Sequence, residues 1–276
     1  MNVDLHCHST ASDGALAPAA LVRRAAERGV DVLALTDHDQ LDGLAEAHEA
    51  AHAAGIGLVD GVEISVTWRG QSVHVLGLRV DRLHPGLVAA LATLRGGRLE
   101  RARRMASGLA AAGIRDSLEG ALGYAANPAS VGRLHFARHL VASGVVADAK
   151  AAFRHYLVQG KPGYVAHQWA ALADAVRWIR IAGGQAVLAH PGRYALSAGA
   201  LHDLLGQFRV AGGEGIEVNA GSHSSDQRSR FAALALHYGL AASRGSDFHA
   251  PGEGAELGGP PALGPGSRPL WQEWAL

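Results

Sequence analysis

The feature that most constrains the fold is a series of histidines and carboxylates placed directly after short apolar runs along the 276-residue chain. The series begins with His6-Cys7-His8, continues through Thr36-Asp37-His38-Asp39, and ends with Ser246-Asp247-Phe248-His249. Side chains of a strand alternate between its two faces, so His6 and His8 are predicted to share one face. Two imidazoles on one face of a strand provide half of a metal site.

The single cysteine, Cys7, excludes an internal disulfide and a zinc site built from several cysteines. Alternation places it with Val3 and Leu5, on the face opposite the histidines, so we interpret it as a small buried side chain rather than a nucleophile. No Gly-x-Ser-x-Gly segment offers a serine nucleophile. The sequence therefore gives no support to a covalent enzyme intermediate.

The composition limits the kinds of molecule that the protein is expected to bind. The chain is long enough for one large α/β domain with an insertion. Its formal net charge is zero, so no overall positive field holds long nucleic acid, and a nucleic-acid partner must be short or locally gripped. The N-terminus lacks a basic segment leading into an apolar one, and no run of about 18 apolar residues occurs. We therefore expect a cytoplasmic protein.

Strand patterns alternate with helical patterns, which predicts a parallel sheet covered by helices. The predicted strands are Asn2–Cys7, Val30–Leu35, Ile56–Val66, Ser72–Val80, Gln185–Ala189, Gly215–Asn219 and Leu240–Gly245. The predicted helices are Pro18–Arg28, Leu41–Ala54, Leu87–Ala112, Ser117–Ala126, Ser130–Ser143, Ala147–Val158, Ala171–Ala182, Leu201–Ala211 and Ser225–Tyr238. Residues 85–167 carry only helical patterns, so we expect a barrel from residues 1–84 and 168–276 and a helical insertion between them.

About seven strands in this length fit a closed or nearly closed barrel, whose active site lies at the carboxyl ends of the strands. An open doubly wound sheet is the alternative, but the glycine-rich loop that such a sheet has after its first strand is missing. The strand ends instead carry histidines and acids. These residues are His6, His8, His38, His74, His190, His249, Asp13, Asp37, Asp39, Glu63, Glu217 and Asp247.

Six histidines and several acids at one mouth would repel each other or remain desolvated unless cations compensated them. Imidazole together with carboxylate suits Zn, Mn or Fe. The sequence therefore predicts a site for divalent metals. The other histidines on predicted helices and loops have no carboxylate motif beside them, and we assign them surface or packing roles. They are His48, His52, His84, His155, His167, His202 and His237.

With their neighbours, these residues resemble the motifs of the polymerase and histidinol phosphatase (PHP) family, within the amidohydrolase superfamily. The matching segments are His6-Cys7-His8-Ser9, Asp13-Gly14, Thr36-Asp37-His38-Asp39, Gly61-Val62-Glu63-Ile64, His74 in His-Val-Leu-Gly, His190-Pro191 and Ser246-Asp247-Phe248-His249. The resemblance implies a distorted (β/α)7 barrel, similar to a TIM barrel, with three divalent metals. Mn is the expected metal, with Zn, Fe and Mg as alternatives.

The resemblance also implies the ligands of each metal. One metal takes His6, His8, Glu63 and Asp247, a second shares Glu63 and adds His74 and His190, and a third takes Asp13, His38 and His249. We expect Asp37 and Asp39 to lie behind the ligands, each accepting an imidazole N–H. A helix N-cap before Leu41 is the alternative for Asp39. The roles of Glu217 and His223, structural or catalytic, stay open.

A metal cluster activates water, holds phosphoryl oxygens and neutralises developing charge, which predicts in-line attack of a metal-bridging hydroxide on a phosphate ester. Residues 130–137 and 161–165 of the insertion resemble a branch of the family that removes the 3′-phosphate of 3′,5′-nucleoside bisphosphates such as pAp. Leu134 stands where that branch has proline. The alternatives are a 5′–3′ exoribonuclease on short RNA, a histidinol-phosphate-type phosphatase, and a metal-dependent binding module without turnover.

Several side chains have the chemistry to bind the substrate. Arg133 and Lys161 offer phosphate contacts, Arg as a bidentate fork and Lys as a point charge. Arg193, three residues after His190, is a third candidate. Ser130 and His135 are expected to complete a pocket for a second phosphate, and Tyr194 or Tyr164 to stack on a base. Surface or interhelix packing is the alternative for each.

Overall fold

A computed structural model describes residues 1–274 of the chain. Its strands form one sheet in chain order. They are β1 (Val3–Asp4), β2 (Val32–Leu35), β3 (Gly57–Trp68), β4 (Gln71–Leu78), β5 (Gln185–Leu188), β6 (Gly215–Ala220) and β7 (Ala241–Gly245). The first and last strands also meet, because the Leu5 N–H donates to the Arg244 carbonyl at 3.0 Å and the Asp247 N–H to the His6 carbonyl at 2.8 Å. The predicted seven-stranded barrel is confirmed.

Helices cover the sheet and form the insertion. They are α1 (Pro18–Glu27), α2 (Leu44–Ala54), α3 (Pro85–Gly96), α4 (Arg98–Ala111), α5 (Ser117–Gly123), α6 (Arg133–Ala142), α7 (Ala149–Ala152), α8 (Leu172–Ile181), α9 (Ala198–Ala211) and α10 (Ser225–Tyr238). The predicted helix Leu87–Ala112 is two helices, divided at Gly97. A π-helical turn, Phe153–Leu157, follows α7 within the predicted helix Ala147–Val158. Within residues 1–274, no helix combines the length and apolar character needed to cross a bilayer.

The prediction of a parallel sheet is wrong for β4, which runs antiparallel to β3 and to β5. The reason is the short connection between β3 and β4. Arg69 and Gly70 both have positive φ, 47° and 78°, which is the backbone of a tight hairpin turn. Such a turn leaves no room for the helical crossover that parallel neighbours need.

The barrel interior is filled by apolar side chains from several strands, with which Leu270 and Trp274 pack. Val3 and Leu5 belong to this interior cluster, whereas Cys7 packs with residues of α1 and α2. Regular strand structure ends at Asp4, so alternation does not extend to Cys7 and the prediction that it shares a face with Leu5 is wrong. Cys7 is fully buried, as expected of a packing residue.

The helical insertion has a hydrophobic core of its own, which includes Met105, Leu109, Phe136 and Leu157. The first predicted insertion helix, α3, packs instead into the main core of the barrel. The separate core starts with α4, so we propose residues 98–167 as the inserted unit rather than residues 85–167.

Candidate metal centre

All nine predicted ligands lie around one basin at the barrel mouth. They form four groups in which the potential ligand atoms all lie within 4.8 Å of one another. The groups are His8, Asp13, His38 and His249; His6, His190 and Asp247; His6, His8 and Glu63; and His38, Glu63 and His74. Every group shares a member with another group. The side chains therefore form one continuous cluster of nitrogen and oxygen donors.

The first set of ligands already has the spacing of a coordination shell. The Nε2 atoms of His6 and His8 are 3.2 Å apart. Glu63 Oε2 lies 3.4 Å from His6 Nε2 and 3.3 Å from His8 Nε2, and Asp247 Oδ1 lies 3.5 and 3.3 Å from the same two atoms. A tetrahedral ion with bonds of about 2.1 Å needs donors about 3.4 Å apart.

Glu63 faces a second pair of imidazoles with its other oxygen. Its Oε1 lies 2.8 Å from His74 Nδ1 and 2.8 Å from His190 Nε2. A carboxylate with one oxygen toward each set can bridge two cations. The position of Glu63 agrees with the shared role that the family resemblance implies.

A third set surrounds Asp13. Its Oδ1 lies 3.4 Å from His249 Nε2 and 3.7 Å from His8 Nδ1, and its Oδ2 lies 3.8 Å from His38 Nε2. His38 Nδ1 is 3.0 Å from Glu63 Oε2, so this ring stands between two sets. The distribution of the nine ligands over individual metals therefore stays a prediction.

Two observations test whether this basin fits cations. The buried Nδ1 atom of His190 has no hydrogen-bond partner among the described residues. His38 Nδ1 and Asp247 Oδ2 lie within ion-pair distance of Glu63 Oε2 and Arg193 Nη1, but neither contact has the geometry of a hydrogen bond. Burial raises the pKa of Glu63, but the imidazoles around it outweigh burial and hold that pKa well below its ordinary value. An ionised carboxylate among unsatisfied imidazole nitrogens is a donor set for divalent metals.

The backbone is strained where it presents these residues. His190 and Asp247 have positive φ, 24° and 55°, and neither is glycine. Such conformations cost about 1–3 kcal/mol each and persist where the surroundings hold them. Gly245 is needed for a different reason, because a Cβ there would lie 2.4 Å from the His6 Cβ. Glycine therefore allows β7 to approach His6.

Glu217 has the orienting role that we expected of Asp37 and Asp39. Its Oε1 lies 3.0 Å from His6 Nδ1, and its Oε2 accepts the His190 N–H at 2.6 Å. It thus fixes one ligand ring and the backbone of another. His223 supports the same loop, because its Nε2 accepts the Gly192 N–H at 3.1 Å. The strand-end position of Glu217 was the sequence signal for this role.

Asp37 reaches a ligand only through a serine, which corrects the expectation that it accepts an imidazole N–H. It accepts the Ser9 N–H at 2.8 Å and the Ser12 hydroxyl at 2.5 Å. Ser12 Oγ in turn lies 3.5 Å from His8 Nδ1. Asp37 therefore orders the loop that follows His8.

Asp39 also differs from both expectations. It accepts the Ser65 N–H at 2.7 Å and pairs with the Arg98 guanidinium, and no imidazole is among its hydrogen-bond partners in residues 1–274. Helix α2 starts at Leu44 with Gly43 as its N-cap residue, so the N-cap alternative is wrong. Asp39 instead connects the barrel to the insertion.

Two of the predicted phosphate-binding residues, Arg133 and His135, lie on helix α6, which contacts the Asp13 loop through the Arg138 side chain. The charge of Asp13 acts on both Arg133 and His135. Ser130 and His135 are buried, and Ser130 Oγ accepts from Gln40 Nε2 at 2.9 Å. Lys161 is exposed. These residues remain candidate substrate contacts.

Arg193 contacts the basin directly, because its Nη1 lies 2.6 Å from Asp247 Oδ2. Nearly half of the Arg193 side chain is exposed. Tyr194 is held in place by both its hydroxyl and its ring. Its hydroxyl donates to the Ala189 carbonyl at 2.7 Å and accepts the His74 N–H at 2.9 Å, and its ring packs on the main core. Tyr194 therefore positions β4 and β5, and stacking of its partly buried ring on a base stays a prediction.

Comparison with known proteins agrees with this geometry. The PHP domain matches residues 4–179, which is more than half of the chain. The chain belongs to the PHP domain family. This membership, with the His/Asp/Glu clusters, supports binding of divalent metals.

Three relatives of this PHP protein span nearly its whole length. A 3′,5′-nucleoside bisphosphate phosphatase of Chromobacterium violaceum is 54% identical, over 99% of this chain and 96% of that protein. The 5′-3′ exoribonuclease Rnm of Escherichia coli is 44% identical, over 98% of this chain and 93% of that protein. The solved structure of an amidohydrolase from Chromobacterium violaceum, with bound sulfate and no metal, has a TM-score of 0.97 and 53% identity, covering 99% and 95% of the two chains.

Proposed function

We propose that this protein is a metal-dependent phosphoesterase that hydrolyses the 3′-phosphate of 3′,5′-nucleoside bisphosphates to give a 5′-monophosphate and phosphate. The observation that carries the proposal is the convergence of nine predicted ligand side chains on one basin beside cationic residues of the insertion. The relative that is 54% identical, a 3′,5′-nucleoside bisphosphate phosphatase, supports the choice of substrate.

The proposed cofactors are three divalent metals, with Mn as the expected metal, held by the nine predicted ligands. When bound, they supply a water of lowered pKa and positive charge for phosphoryl oxygens. Glu63 is shared between two ligand sets because each of its oxygens faces a different set. Arg193 pairs with Asp247 and is partly exposed, so it can donate to an oxygen of the reacting phosphate.

The second phosphate of the substrate accounts for the insertion residues. In this proposal the 3′-phosphate occupies the basin and the 5′-phosphate lies against Arg133, with Ser130 and His135 nearby. Arg133 is half-buried and has no acidic partner in the described part of the chain. A guanidinium without a carboxylate is free to bind a phosphate bidentately.

Phosphate release from 3′,5′-bisphosphoadenosine by the Mn-loaded protein tests the proposal. Adenosine 3′-monophosphate, adenosine 5′-monophosphate and histidinol phosphate serve as comparison substrates. We expect kcat/KM for the bisphosphate to exceed that for each monophosphate by at least about tenfold, the value of one good charge-assisted contact. Equal or better turnover of a monophosphate would contradict the two-phosphate site.

Substitution of Arg133 separates binding of the second phosphate from the chemistry. We expect Arg133→Ala to raise KM for the bisphosphate about tenfold or more with a small change in kcat, since it removes an interaction made already in the ground state. Asp13→Ala, which removes a predicted metal ligand, should abolish turnover instead. Unchanged kinetic constants for Arg133→Ala would show that the second phosphate binds elsewhere.

A 5′–3′ exoribonuclease activity on short RNA is the second candidate, favoured by the 44% identical Rnm of Escherichia coli. The same basin would cleave the ester on the 3′ side of the first nucleotide, with its 5′-phosphate on the insertion. Incubation with a 5′-phosphorylated oligoribonucleotide tests this activity. Absence of released mononucleotides, under conditions where the bisphosphate is hydrolysed, would restrict the protein to small substrates.

A further inference from the structure

The insertion brings three arginines together next to the metal basin: Arg98 and Arg101 of α4, which both lie against the Trp169 ring, and Arg133 at the start of α6, whose charge acts on Arg101. Arg98 is paired with Asp39, the residue after the predicted ligand His38. In residues 1–274 the other two have no acidic partner within ion-pair distance. The cluster therefore carries positive charge that the protein does not compensate.

Arg101 is the most deeply placed of the uncompensated pair, with only 7% of its surface exposed. Its Nε donates to the Val165 carbonyl at 3.2 Å, and its guanidinium lies 5.5 Å from the centre of the Trp169 ring. Its terminal nitrogens donate to no atom of the described residues. Neither nitrogen is among the fully buried polar atoms without a partner, so both are in partial contact with solvent.

The buried and unpaired Arg101 guanidinium raises the free energy of the protein when no anion is bound. Burial, together with repulsion from Arg133 and Arg98, lowers the pKa of Arg101 to about 10. A buried cation without a counter-charge costs free energy unless an anion compensates it. The contacts with Val165 and Trp169 hold the guanidinium in place before any ligand arrives, which reduces the entropy lost on binding.

The cluster lies on the Asp13 and His38 side of the basin. The Asp13 charge acts on Arg133, and Arg98 contacts Asp39, which directly follows His38. An anion held by the unpaired arginines is thus adjacent to the third set of ligands. A molecule with two phosphates can occupy the basin and the arginine cluster together.

We propose that Arg101 binds the non-reacting phosphate monoester of the substrate jointly with Arg133, and that it determines the preference for bisphosphates over monophosphates. The inference rests on the proposed function, which supplies the second phosphate. Arg101 was not among the residues singled out from the sequence. Lys161, which is exposed, is peripheral to this site.

The test compares Arg101→Met and Arg101→Lys with Arg103→Met, a control on the same helix whose residue is exposed and paired with Glu100. In the Mn-loaded full chain, kcat/KM is measured for 3′,5′-bisphosphoadenosine and for adenosine 3′-monophosphate. Arg101→Met should reduce the ratio of the two values about 10- to 100-fold, the weight of charge-assisted hydrogen bonds. Arg101→Lys should reduce it less, and Arg103→Met should keep it within about twofold of wild type.

Calorimetric binding of adenosine 5′-monophosphate, with adenosine as reference, gives a readout that needs no turnover. Arg101→Met should weaken binding of the monophosphate by the same factor as it lowers the ratio. If Arg101→Met lowered kcat/KM equally for both substrates, or left the affinity for adenosine 5′-monophosphate unchanged, Arg101 would have only a structural role in packing Val165 and Trp169.

The two proposals can fail separately. A wild-type protein that binds adenosine 5′-monophosphate but does not hydrolyse the bisphosphate refutes the proposed function, while the binding comparison still decides on Arg101. A wild-type protein that binds adenosine 5′-monophosphate no better than adenosine overturns the anion site itself.

Discussion

At the scale of single residues, the ring of His6 is held on both edges. Nδ1 faces Glu217 at 3.0 Å, while Nε2 faces Glu63 and Asp247. A carboxylate at Nδ1 fixes the tautomer that leaves Nε2 free for a metal and increases the basicity of that nitrogen. The same carboxylate holds the His190 backbone, so one side chain positions ligands from two strands.

The first prediction concerns this carboxylate. Glu217→Gln preserves the shape of the side chain but removes its charge, so we expect metal affinity to fall about 10- to 100-fold. Mn titration followed by elemental analysis measures the effect, and activity at saturating Mn should recover most of the loss. Glu214→Gln, whose partner is Gln185 outside the basin, is the matched control. Wild-type Mn affinity in Glu217→Gln would assign Glu217 a purely structural role.

The candidate ligands could be found from the sequence because each stands in a short motif, as His6-Cys7-His8 does. The expected strand-end position is wrong for Glu63 and His74, which lie within β3 and β4. The residues that surround and support these ligands could not be found from the sequence. Arg98 and Arg101 lie on a helix far from the motifs in the sequence, and their roles depend on contacts that only the folded chain creates. The structural role of Tyr194 could not be found for the same reason, since nothing local indicates that its hydroxyl would join two strands.

At the scale of elements, the first turn of α4 fastens the insertion to the barrel. Arg98 pairs with the Asp39 carboxylate, and Arg95, at the end of α3, donates to the Asp39 carbonyl at 2.7 Å. Arg138 of α6 donates to the Asp13 carbonyl at 2.7 Å. The insertion is thereby joined to two loops that carry predicted metal ligands.

The second prediction follows from the burial of this ion pair. Arg98→Met leaves the buried Asp39 carboxylate without its partner, and we expect a loss of about 3–5 kcal/mol in the free energy of unfolding. Urea denaturation measures it. The double variant Arg98→Met with Asp39→Asn should recover part of the loss, whereas Arg103→Met should change stability by less than about 0.5 kcal/mol. A loss below 1 kcal/mol in the single variant would contradict the role of this pair.

Most strands and helices could be predicted because apolar periodicity and glycine punctuation are local signals. Helix α10 begins at Ser225 and ends at Tyr238, as predicted. The direction of β4 could not be read from periodicity, since it depends on the conformation of Arg69 and Gly70. The division of one predicted helix into α3 and α4 depends on how each half packs, against the barrel or within the insertion.

At the scale of the whole molecule, stability and metal binding are coupled. The basin concentrates imidazoles and carboxylates in a buried volume, and cations that bind the folded but not the unfolded chain add stability by mass action. Free Mn at about 100 times its Kd adds about 2.7 kcal/mol per site. For a domain of this size we expect Tm to rise on the order of 5–10 °C.

Differential scanning calorimetry before and after chelation checks this third prediction. Chelator should lower Tm and abolish phosphatase activity, and added Mn should restore both. Asp13→Asn, which weakens one ligand set, should show a smaller rise in Tm with Mn. An identical Tm with and without Mn would mean that the basin does not bind the ion tightly enough to act.

The meeting of β1 with β7 has a consequence for biosynthesis. His6 and His8 leave the ribosome before the other predicted ligands, and Asp247 and His249 leave it after them, yet His6 is grouped with Asp247 and His8 with His249. A nascent chain therefore cannot assemble the full set of predicted metal ligands until residue 249 has been translated. Products of premature termination should leave the ribosome without the capacity to retain the full complement of metal.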